Sequence, residues 1–149
     1  MASVQTPPFS QPLDVDSIPW IPLGPGESFK PLRFMKNGRA LLLRLEPGTV
    51  VPRHRHSGEV HGFNLSGSRK LLETGETVGP GAYVYEPAGN VDSWMAVGDE
   101  PVVVHIISFG SMEYLGENDE VLRRDTPSSL HQRYLDYCAS NGLTPVALQ

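Results

Sequence analysis

Cysteine is almost absent from this 149-residue chain, with Cys138 the single thiol. One thiol cannot close an internal disulfide, so no disulfide framework is expected, and a reducing compartment suits the chain. Long apolar runs are missing too: none approaches the ~18 residues of a membrane-spanning helix. Cationic residues are few, 12 against 17 acidic ones, for a net charge of −5. They form no basic cluster of the kind that nucleic-acid binding needs. The N-terminal stretch lacks a basic region followed by an apolar one, so no secretory signal is expected. These absences point to a soluble, cytoplasmic protein, and the length fits one domain.

Glycine and proline are what the chain has in quantity, 15 and 14 residues, set at short intervals between apolar runs. That punctuation predicts an all-β domain. Residues 1–28 carry six prolines by position 25, which excludes a helix there and predicts an extended arm. Strands are expected over residues 29–125. Asn37-Gly38 between two apolar runs is a strong hairpin signal. In the strand that follows, Leu41, Leu43 and Leu45 share one face. The run from Pro101 to Phe109 is the longest apolar stretch and reads as a strand buried on both faces. About nine or ten short strands result, arranged as a sandwich or a barrel. Over residues 126–149 the period changes. Thr126 fits an N-cap, Pro127 the first helical position, and Leu130, Tyr134 and Cys138 recur at helical spacing until Asn141-Gly142.

Three of the five histidines fall within "HRHSGEVH", residues 54–61. On a strand His54 and His56 point to one face and Arg53 and Arg55 to the other. After a short turn, His61, Phe63 and Leu65 share a face of the next strand, and the apolar pair predicts that this face is interior. Three imidazoles on two neighbouring strands would then converge. Imidazole suits Zn, Cu, Fe and Ni. Asp92, at the start of a later strand, can add a carboxylate. The expected metal ligands are therefore His54, His56, His61 and Asp92. His105 alternates with Val103, Ile107 and Phe109 and is a further candidate ligand or catalytic group. Glu86 is a candidate for orienting a ligand or holding a proton during turnover. Phe63, Tyr85 and Trp94 are candidates for lining a small-molecule site.

Two of these stretches carry a resemblance. Gly48, His54 and His56 give G-x5-H-x-H, and Gly81, Pro87 and Gly89 give G-x5-P-x-G. Their order and separation resemble the two signature motifs of the cupin superfamily. Within it, the histidine stretch, "YVYEPAG" and the tail from Met112 to Leu130 look most like the single-domain dioxygenases that cleave 2,4′-dihydroxyacetophenone or acetylacetone. The chain departs from the usual pattern in two places. His61 stands where an acid is usual, and Asp92 where a histidine is usual. The resemblance implies a jelly-roll β-barrel over residues 29–125 between the arm and a C-terminal helix. It also implies Fe(II), with Zn, Mn or Ni as alternatives. Edge strands that need covering, an apolar proline-rich arm and the helix predict a homodimer or homotetramer. The implied activity is O2-dependent C–C cleavage of an enolisable carbonyl compound. A redox-neutral isomerase, cyclase or lyase, and a non-catalytic metal-binding module, are the alternatives.

Overall fold

The computed structural model describes residues 9–149, so the first eight residues of the expected arm lie outside it. A 3-10 turn over Val15–Ser17 leads into twelve strands. These are β1 (Ile21–Gly24), β2 (Glu27–Met35), β3 (Gly38–Leu45), β4 (Val50–His56), β5 (Val60–Ser66) and β6 (Ser68–Leu71), then β7 (Thr77–Val78), β8 (Tyr83–Glu86), β9 (Val91–Val97), β10 (Val102–Phe109), β11 (Met112–Leu115) and β12 (Val121–Asp125). One helix follows, α1 (Pro127–Ser140).

The strands form two six-stranded antiparallel sheets, ordered β1-β2-β3-β10-β5-β8 and β12-β11-β4-β9-β6-β7. Their inner faces enclose one core. Phe29, Leu41, Leu43, Leu45, Val102 and Val104 come from the first sheet; Val51, Trp94 and Ala96 come from the second. Alternation along β3 puts Leu41, Leu43 and Leu45 inside, as the sequence predicts, and Asn37 lies in the turn joining β2 to β3. The helix starts as expected. The Thr126 hydroxyl accepts from the Ser129 amide, and the Ser129 hydroxyl returns the bond, so two amides with no helical partner are satisfied. Leu130, Tyr134 and Cys138 bury one face of α1 against the core.

The structure corrects the sequence reading of the fold: it has twelve strands among the described residues rather than nine or ten. The sheet begins before residue 29: β1 pairs with β2, and Ile18 and Ile21 are core residues. Proline is tolerated in β1 because it is an edge strand, where a missing N–H breaks no ladder on the free side. β10 is also not buried on both faces. Val102, Val104 and Ser108 are buried, whereas Val103, His105 and Ile107 are only half-covered.

Candidate metal centre

β4 runs between β9 and β11, and its inward face carries His54 and His56. Both rings are buried, 2% and 6% exposed, and they meet edge to face at 5.0 Å between centroids. The Nδ1–H of His54 donates to the Pro52 carbonyl at 2.7 Å, which leaves Nε2 as the free lone pair facing inward. Burial and the positive field of Arg39 hold His54 below its ordinary range and His56 down at about 3; the neighbouring imidazole adds to the effect on His56. Both imidazoles are therefore neutral at pH 7, the form in which histidine binds metal.

The third member is Glu86, at the end of edge strand β8. One donor atom each from His54, His56 and Glu86 lies within 4.8 Å of the other two, and all three residues are buried. Two neutral imidazoles and one carboxylate suit Fe(II), Mn, Ni or Zn while leaving coordination positions open. The residues present thus fit a divalent metal ion. Glu86 is pushed up to about 7, chiefly by burial and next by the negative charge of Asp92. Burial raises Asp92 as well, and the His54 imidazole partly offsets this. The two carboxyl groups lie beside each other in the fold. Asn90 fixes the other side of Glu86, its Nδ2 donating to Oε1 at 3.0 Å.

A cavity of about 70 Å³ opens beside this trio. Trp94 lines it, 3% exposed, with the Arg69 guanidinium 4.7 Å above its ring. Arg69 is itself held by Asn64, whose Oδ1 accepts from Nε at 3.2 Å. Arg39 lines the same cavity.

The other expected site residues sit elsewhere. Asp92 pairs in register with His54 and is buried, but it stands behind Glu86 and outside the trio. His61 faces away from the cavity. Its Nδ1 meets the Tyr83 hydroxyl at 2.5 Å, its Nε2 lies 3.4 Å from Glu59, and its ring packs on Tyr83 and Tyr85. The reason is that the apolar pair Phe63 and Leu65 lies on the outer face, while Val60, Gly62 and Asn64 take the inner one. The expectation that Phe63 and Leu65 mark the interior is therefore overturned, and His61 goes outward with them. Tyr85 is likewise outward, 53% exposed. His105 is paired with Phe63 across β5 and β10 and shares that outer face.

Sequence reasoning missed Arg39 and Arg69 as cavity residues. The signal for Arg39 was present: it has the parity of Leu41, Leu43 and Leu45 on β3, so it must share their inward face.

Comparison with known proteins follows the same lines. The family model described as the ChrR cupin-like domain matches residues 10–112. No curated protein matches the chain by sequence. Among solved structures, an RmlC-like cupin protein of Ralstonia eutropha JMP134 is 26% identical, with a TM-score of 0.88 over 95% of this chain and 94% of that one. An acetylacetone dioxygenase from Acinetobacter johnsonii is 14% identical, with a TM-score of 0.75 over 91% of this chain and 97% of its own. The polyketide cyclase RemF from Streptomyces resistomycificus is 16% identical, with a TM-score of 0.59 over 85% and 97%. At those last two identities the likeness is one of fold. With the two histidines of the first cupin motif turned into a buried cavity, the chain belongs to the ChrR cupin-like domain family of the cupin superfamily.

Proposed function

We propose that the protein is a metal-dependent enzyme, an iron(II) dioxygenase that cleaves a C–C bond of an enolisable ketone. The observation that carries this reading is the buried trio of His54, His56 and Glu86 at the wall of a small cavity. His54 and His56 would hold the metal through their ring nitrogens, with Glu86 as the third ligand. A bound Fe(II) would polarise a chelating carbonyl oxygen and give access to O2. The chain supplies the rest. Trp94 and the leucines of β3 keep water from the reacting carbons. Likeness of fold to an acetylacetone dioxygenase supports the reading without carrying it.

The same trio suits Zn, Mn or Ni, and Lewis-acid enolisation needs no O2. A redox-neutral isomerase, cyclase or lyase is therefore the second reading, and a cyclase is among the proteins of like fold.

One experiment separates them. The protein is analysed for metal, loaded with Fe(II) under anaerobic conditions, and followed with an oxygen electrode against a series of enolisable ketones. About one metal per chain and ketone-dependent O2 uptake are expected, with His54→Ala losing both. Turnover of a ketone without O2 supports the second reading. An iron-loaded protein that turns over none of the ketones overturns both.

A further inference from the structure

Arg39 is a charged residue of the cavity wall that neither the trio nor the carboxyl pair uses. It lies on β3, in register with Ser108 of β10 and Phe34 of β2, and points into the space between the sheets. The residue is 5% exposed. Its Nε and Nη1 are buried without a hydrogen-bond partner, and they are the only such side-chain atoms among the described residues. Arginine cannot shed its charge, so an unpaired buried guanidinium is destabilising.

Nearby carboxylates do not answer it. Asp125 is the main negative field at Arg39, yet it pairs with Arg123 at 3.3 Å, and no ion pair to Arg39 forms among the described residues. Glu27 also lines the cavity, where burial pushes it toward its neutral form. Glu86 is held by Asn90. Arg69, the other buried guanidinium, has Asn64 and the Trp94 ring. Arg39 alone is left with buried donors that no acceptor among the described residues answers, at the wall of the cavity. It lines the same cavity as His54, His56 and Glu86, about 70 Å³ in volume, which a small molecule could span.

We propose that Arg39 binds the carboxylate of a small anionic substrate, a keto acid whose carbonyl end lies toward His54 and His56. This rests on the reading of the cavity as the substrate site and narrows the substrate from ketones in general to those bearing a carboxylate. A charge-assisted hydrogen bond in this buried setting is among the stronger ones available to a small ligand. It also accounts for keeping an arginine on a face otherwise made of leucines.

The test uses the full chain stripped of metal, so that it reads Arg39 whether or not the metal reading holds. Calorimetric titrations compare pyruvate with 2,3-butanedione, a neutral diketone of nearly the same shape. Wild type is expected to bind pyruvate in preference to the diketone. Arg39→Met is expected to weaken pyruvate binding tenfold or more and leave the diketone unchanged. In carboxylate-free buffer Arg39→Met is also expected to melt at a higher temperature than wild type, because an unpaired buried charge is gone. Three results overturn the proposal. These are no preference for pyruvate in wild type, unchanged pyruvate affinity in Arg39→Met, or a variant that melts lower or fails to fold. The last would make Arg39 a structural residue.

Discussion

Glu86 and His56 titrate in opposite senses, and both depart far from their ordinary values. His56 is held down at about 3 in the fold, so its unfolded form takes up a proton first as pH falls below about 6.5. Its contribution to stability is present above pH 6.5 and is lost as pH falls toward 3. Glu86, raised to about 7 from an ordinary 4.5, behaves the other way. The folded form holds its proton more tightly, so that contribution is complete below pH 4.5 and is lost as pH rises through 7. In the metal-free chain Glu86→Gln should therefore gain on wild type between pH 4.5 and 7, by up to about 3 kcal/mol. Urea unfolding at a series of pH values measures it, and a pH-independent difference would contradict the assignment. At this scale the sequence was legible for His54 and His56, because two histidines of like parity within a motif leave little choice of direction. It was not legible for His61. There the apolar neighbours Phe63 and Leu65 pointed to the wrong face.

Elements here are short, and the turns between them carry much of the constraint. Gly67, between β5 and β6, has φ +66°, a conformation open to glycine. A Cβ there would sit 2.2 Å from the Pro101 carbonyl oxygen, which is backbone and cannot move aside. Gly67→Ala should cost about 2–4 kcal/mol, read from the urea midpoint at unchanged slope. The consequence reaches the cavity, since the same turn sets Asn64 and Arg69 against each other. Strand and helix positions were largely legible, because periods of 2.0 and 3.6 residues are local properties of the chain. The early strand β1 was not, since its prolines argue against a strand until the edge position that tolerates them is known.

The whole molecule exposes an unusual face. Phe63, Leu65, Tyr83 and Tyr85 lie together on the outside of β5 and β8, each more than 40% exposed, beside the free edge of β8. We propose that a second copy of the chain covers it, giving a homodimer or homotetramer. Light scattering should return a multiple of the 16.3 kDa chain mass, and Tyr85→Glu should reduce it toward one copy. No helix among the described residues is long and apolar enough to cross a membrane. The sequence by itself determined the all-β class, the C-terminal helix and the inward pair of His54 and His56. Each of these is written in alternation or spacing along a few residues. Only the tertiary structure decided that Glu86 completes the trio, that Asp92 stands behind it, and that Arg39 reaches the same cavity. These residues lie on β8, β9 and β3, and their distances depend on how two sheets stack and on the register between strands far apart in the chain. Local periodicity carries no information about either.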